Sequence, residues 1–122
     1  MNIEKTKFGS ITIDGEKYKH DVYILLNGTV ERRKKELSKP YSKGHTVVGP
    51  DEIKYLLSKK PKILVLGKGQ YGILPIHEEA QKLIDKAKDL IIISNKTPIV
   101  MHMLNDLLKQ KAKVVALLHI TC

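Results

Sequence analysis

Residues 62–72 read Lys62-Ile63-Leu64-Val65-Leu66-Gly67-Lys68-Gly69-Gln70-Tyr71-Gly72, an apolar run that passes straight into a triple-glycine bend. The run is continuous rather than alternating, so it predicts a strand covered on both faces. The glycine spacing is that of a dinucleotide-binding turn, which works only when a helix opens inside the motif and aims its amides at a pyrophosphate. Here Ile73-Leu74-Pro75-Ile76 follows instead. Pro75 forbids an early helix, and the next helix can start only near His77, with Glu78 and Glu79 in a first turn that repels phosphate. No acidic residue ends the next strand to hold a ribose, and no Gly-Lys-Ser or Gly-Lys-Thr sequence supports nucleotide hydrolysis.

Two more continuous apolar runs, Leu90 to Ile93 and Val114 to Leu118, resemble the first. Between the three lie two amphipathic segments. One carries Ala80, Leu83, Ile84 and Ala87, and the other Val100, Met103, Leu104, Leu107 and Leu108, with Thr97 as its cap and Pro98 behind it. Strand, helix, strand, helix, strand implies parallel pairing through crossovers. Upstream, Ile11 and Ile13, then Val22, Ile24 and Leu26, alternate with polar neighbours, and Asp14-Gly15 and Asn27-Gly28 suit tight hairpin turns. An antiparallel N-terminal β-meander follows. Pro50, with Asp51 and Glu52, starts a short helix that ends before Pro61. The expected fold is α/β: a covered, mixed central sheet with a parallel βαβαβ C-terminal half and the meander attached, one domain over residues 1–122.

The chain has 122 residues, 42% hydrophobic and 29% charged, enough to bury one core. Cys122 is the only cysteine, so no internal disulfide framework is expected. No apolar stretch approaches a membrane span and no secretion signal is evident, which suggests a cytoplasmic protein. No cofactor and no metal ion are expected: His20, His45, His77 and His102 show no ligand spacing.

The net charge of +9 favours an anionic partner. Arg32-Arg33-Lys34-Lys35, with Lys39, Lys43 and His45 in the loop that follows, forms a candidate basic patch. Nucleic acid is the less favoured partner, because aromatic stacking platforms are scarce. The strands' carboxyl ends should bring Gly67 to Gly72 and the segment from Ser94 to Thr97 into one crevice, where Lys68, Gln70 and Tyr71 offer donors to a small anion or a peptide carboxylate. On this reading a bulky residue at Gly69 blocks a partner without unsettling the fold. His119 and Cys122 are expected to be a packing residue and a free thiol, with no group to orient the imidazole. An enzyme reading would require Lys68, His45 or Asp21 to lie within hydrogen-bond reach of another such group in a concave pocket.

Phe8-Gly9-Ser10-Ile11, Gly15 with Tyr18 and His20-Asp21-Val22, Gly44-His45-Thr46, the Gly67 to Gly72 turn, Thr97 with Asn105, and Val115 to Cys122 occur in a familiar order. The chain resembles, over nearly its whole length, the Mth-type domain family, which includes adipogenesis-associated Mth-domain protein and, more distantly, a mitochondrial complex I assembly factor. The resemblance implies a three-layer domain without established catalytic activity, acting as a binding or assembly accessory. It also implies cleft positions at Gly67, Gly69, Gln70, Tyr71 and Gly72, with Thr97 and Asn105 from the neighbouring helix. Leu104, where an aromatic commonly precedes the asparagine, and Gln110-Lys111-Ala112, in place of an acidic-glycine turn, depart from the family pattern.

Overall fold

A computed structural model describes residues 1–122. The chain runs through β1 (Ile3–Lys7), β2 (Ser10–Ile13), β3 (Glu16–Tyr18), β4 (Val22–Ile24) and β5 (Val30–Arg32), then two single 3-10 turns at Lys35–Leu37 and Lys39–Tyr41. It continues through α1 (Pro50–Leu57), β6 (Ile63–Lys68), α2 (Glu78–Lys86), β7 (Ile91–Asn95), α3 (Thr97–Lys109) and β8 (Val114–His119). The main sheet has the order β5-β4-β8-β6-β7, in which β6 pairs parallel with both β7 and β8 while β4 pairs antiparallel with β8. No helix is long and apolar enough to cross a membrane.

The three-layer mixed α/β fold read from the sequence is the fold observed. Period-2 alternation along the central strands divides their side chains between two cores. Val65, Val114, Ala116 and Leu118 face α3 and the first three strands, whereas Leu64, Leu66, Val115 and Leu117 face α1 and α2. Asp14 and Gly15 take φ of +50° and +81° in the two-residue turn between β2 and β3, as the sequence predicts. Helix α2 begins only at Glu78, with His77 Nδ1 accepting from the Glu79 amide, so Pro75 does exclude a helix inside the glycine motif.

Four details differ from expectation. The meander divides: β1, β2 and β3 form a separate sheet, and the β4–β5 hairpin joins the main one. Strand β4 is buried on both faces, because Tyr23 points into the second core with its hydroxyl donating to Glu52. Strand β7 is a sheet edge with Ile91 57% exposed, so it is not covered as its apolar run suggests. Finally, Thr97 is not the cap of α3; Lys96 occupies that position, and the Thr97 hydroxyl bonds elsewhere.

Asn105 does not enter a cleft. It fastens α3 to β1, its Oδ1 accepting from the Ile3 amide at 2.8 Å and its Nδ2 donating to the Ile3 carbonyl at 2.9 Å. Ile3 is buried, so removing the carboxamide leaves two backbone groups short of partners. Asn105→Ala should lower the unfolding free energy by about 1–3 kcal/mol in urea titrations. A loss below about 0.5 kcal/mol, ordinary for an exposed site, would show that the pin does not hold β1.

Candidate functional site

The glycine turn is a clamp on the chain itself. Gly69 has φ +94°, and a Cβ there would collide with the backbone of Thr121 and Cys122. The Gln70 amide donates to the Thr121 carbonyl at 2.7 Å and the Ile73 amide to the Cys122 carbonyl at 3.0 Å. The amides of Gly69, Gly72 and Leu74 are taken by Thr97 Oγ1, the Gly69 carbonyl and the Lys68 carbonyl. The expected crevice over Gly67 to Gly72 is therefore filled by residues 121–122, and the amides of Gly69, Gln70, Gly72, Ile73 and Leu74 are spent within the chain, while the Lys68 ammonium makes no hydrogen bond or ion pair there. Gln70 Nε2 donates to Thr6 Oγ1, and Tyr71 lies exposed with its ring 6.4 Å from that of Phe8. Gly67 is packed tightly, since a Cβ would come within 2.9 Å of Thr97 Oγ1. Thr97 ties the turn to β8 by also donating to the His119 carbonyl at 2.6 Å.

Beside this clamp lies a buried charge cluster. Arg33, read from the sequence as part of an exposed basic run, is only 4% exposed. Its Nε donates to Glu52 Oε2 at 2.7 Å and its Nη1 to Asp21 Oδ2 at 2.9 Å, while Nη2 reaches Glu52 Oε1 and the Val47 carbonyl. Tyr23 and Ser38 hydroxyls donate to Glu52, and the Ile120 amide donates to Asp21 Oδ1 at 2.9 Å. No buried side-chain nitrogen or oxygen lacks a partner. Arg33 is thus withdrawn from the patch; Arg32, Lys35 and His45 remain at the surface, Lys43 lies beside His45 along a neighbouring hollow, and Lys34 places its Nζ 5.3 Å from the Tyr55 ring centre.

The cluster ends on a histidine. His119 Nδ1 lies 2.7 Å from Asp21 Oδ2, and its Nε2 lies 3.1 Å from Thr121 Oγ1. The pairing of Val22 with Leu118 across β4 and β8 places Asp21 opposite His119 one step further along. Burial would raise the Asp21 carboxyl, but the His119 hydrogen bond and charge, the Ile120 amide and Arg33 outweigh it and hold Asp21 at about 2. An ionised carboxylate only accepts, so Nδ1 carries the proton and, in the neutral ring, Nε2 presents a lone pair to Thr121. The orienting group that the sequence did not supply for His119 is Asp21, 98 positions away.

His119 and Thr121 line a cavity of about 620 Å³ together with His45, Thr46 and Cys122, closed on another side by Ile73, Leu74 and Pro75. Two smaller hollows share His45 and Thr46 and are bordered by Lys35, Lys39 and Lys43. No group of three or more His, Cys, Asp or Glu side chains is arranged to hold a metal ion.

Three outcomes test this geometry. Gly69→Val should destabilise the protein by about 2 kcal/mol or more, because it adds left-handed strain to the collision; an unchanged thermal midpoint would restore the open-crevice reading. Arg33→Ala should cost about 3–5 kcal/mol by leaving two carboxylates buried without their cation, and Arg32→Ala less than about 0.5 kcal/mol. Equal losses would place Arg33 at the surface. The folded Asp21 carboxyl sits below its reference of 3.8, so its contribution is full above that value and disappears as pH falls toward about 2. Urea midpoints should fall over that interval by the equivalent of about 2 kcal/mol, and the slope should flatten in Asp21→Asn. A slope unaffected by the substitution would remove Asp21 as its source.

Residues 3–119 match the family model described as protein of unknown function, DUF498/DUF598. No functionally curated protein matches the chain. Among solved structures, the conserved hypothetical protein PH1505 from Pyrococcus horikoshii OT3 is similar with 34% identity and a TM-score of 0.84, covering 100% of both chains. A structure named MT938 is 26% identical with a TM-score of 0.80, over 99% of this chain and 98% of that one. A Bordetella pertussis protein described as a Mth938-like domain shares the fold at 14% identity and a TM-score of 0.63, over 98% of this chain and 85% of that one. The chain accordingly belongs to the DUF498/DUF598 family, as the order of its motifs suggested, and shares the fold of the Mth938-like domain.

Proposed function

We propose that the protein binds a small amphiphilic acid in the cavity beside His119, with the apolar body against Ile73, Leu74 and Pro75 and the anionic end toward His45 and Lys43. The observation that carries this reading is the two-sided lining of the 620 Å³ cavity, apolar on one wall and polar on the other. The basic rim of Lys35, Lys39 and Lys43 along the adjoining hollows supports it, and the net charge of +9 raises the local concentration of anions. The ligand site sits one loop away from the glycine turn, whose amides serve the fold. A small ligand is favoured over nucleic acid because Arg33, central to the run expected to meet phosphates, is committed to Asp21 and Glu52.

Calorimetric titration with octanoate at low ionic strength tests the reading against octan-1-ol, which has the same chain without the charge. Octanoate should bind saturably and more tightly than the alcohol. Lys43→Glu and His45→Ala should each weaken octanoate by about fivefold or more, equivalent to about 1 kcal/mol. Equal affinity for acid and alcohol, or indifference to both substitutions, would refute an anion subsite at this rim.

A further inference from the structure

We propose that Thr121 is an acyl-accepting nucleophile, with His119 as its general base and Asp21 as the group that orients the imidazole, so that the cavity hydrolyses esters or thioesters of small apolar acids. The inference rests on the ligand reading above and deepens it: the amphiphilic acid becomes the product of the reaction. Hydroxyl, imidazole and carboxylate stand in series, with Thr121 Oγ1 3.1 Å from His119 Nε2 and His119 Nδ1 2.7 Å from Asp21 Oδ2. That is the geometry by which nucleophile, base and orienting acid are recognised whatever their order in the chain. The requirement that an acid and a base meet beside a concave pocket is met by Asp21 with His119, not by Lys68 or His45.

The surroundings hold the series in place. Asp21 is fixed from two further directions, by Arg33 Nη1 at 2.9 Å and by the Ile120 amide at 2.9 Å. The His119 carbonyl accepts from Thr97, and the Thr121 carbonyl accepts from the Gln70 amide, so the backbone on either side of the hydroxyl is anchored. The amide of Cys122, the residue after the nucleophile, donates to no group within the chain. An amide in that position is one of the two donors that receive the developing oxyanion in nucleophile-elbow hydrolases. Both His119 and Thr121 line the cavity, whose apolar wall of Ile73, Leu74 and Pro75 suits an acyl chain.

In the first step Thr121 Oγ1 attacks the acyl carbon, the Oγ1 proton passes to His119 Nε2, and the carbonyl π pair moves onto oxygen. Collapse re-forms the carbonyl and breaks the bond to the leaving alkoxide or thiolate, which takes the proton from Nε2. In the second step a water gives its proton to Nε2 and adds to the threonine ester; cleavage of the acyl–Oγ1 bond returns that proton to Thr121 and releases the acid. Ester and water yield acid and alcohol or thiol, with no oxidant or cofactor needed.

The test is incubation of the full chain with p-nitrophenyl octanoate, following nitrophenolate release and locating the octanoyl group by fragment mass spectrometry. The expected adduct is an ester on Thr121 that survives neutral hydroxylamine, a reagent that strips a thioester from Cys122. Thr121→Val should reduce release by about 100-fold or more, and Thr121→Ser should retain it. His119→Gln should behave as Thr121→Val; should it fail to fold, Thr121→Val, which removes only the hydroxyl, decides alone. Octanoyl groups confined to lysines or Cys122, or undiminished release by Thr121→Val, would overturn the proposal. Octanoate binding without a Thr121 ester would sink this inference and leave the ligand reading standing. An ester on Thr121 without octanoate binding would do the reverse.

Discussion

The guanidinium of Arg33, held between Asp21 and Glu52, is the interaction on which the rest of the site depends. It joins the end of β5 to the head of β4, to the first turn of α1 and, through Val47 and Thr46, to the basic loop. Burying such charges is costly, and the attraction between them offsets that cost only when the remaining lone pairs are satisfied. Two carboxylates face one guanidinium, so extra donors are needed. Tyr23, Ser38, the Ile120 amide and the His119 ring supply them. The cluster is better understood as a device that fixes positions than as a source of net stability.

Its counterpart is the glycine turn. The three glycines let the backbone after β6 close around residues 121–122, while Thr97 ties Gly69 to His119. Clamp and charge cluster thus grip the same stretch of chain from opposite sides, His119 and Ile120 through Asp21, Thr121 and Cys122 through the turn. What lies between them is the polar wall of the cavity. A motif that looks like a phosphate cradle holds backbone instead, and the reason is the extended segment that Pro75 imposes after it.

Much of the fold was legible in residues whose pattern has one physical solution. The covered runs of β6 and β8, the Asp14-Gly15 turn, Pro50 at the start of α1 and the late start of α2 all follow from local chemistry. What was hidden depends on pairing. Ile91 to Ile93 reads like a buried strand, and only the sheet order makes it an edge. β1, with Ile3 its one buried residue, lacks an alternating signal. Arg33 is indistinguishable in sequence from Arg32, and burial falls on it because of where β5 ends. The Asp21–His119 contact becomes visible only through the register of β4 on β8, which turns two distant polar residues into neighbours.

The central claim is that Asp21, kept ionised against its burial by Arg33, the Ile120 amide and the His119 ring, dictates which nitrogen of His119 carries the proton and leaves the other facing Thr121. Long-range proton–nitrogen correlation spectra of the His119 ring, recorded in alkaline solution, test it most directly. The account predicts a single tautomer with the proton on Nδ1 and an unprotonated Nε2. A ring protonated on Nε2, or a rapidly exchanging mixture of the two forms, would contradict it.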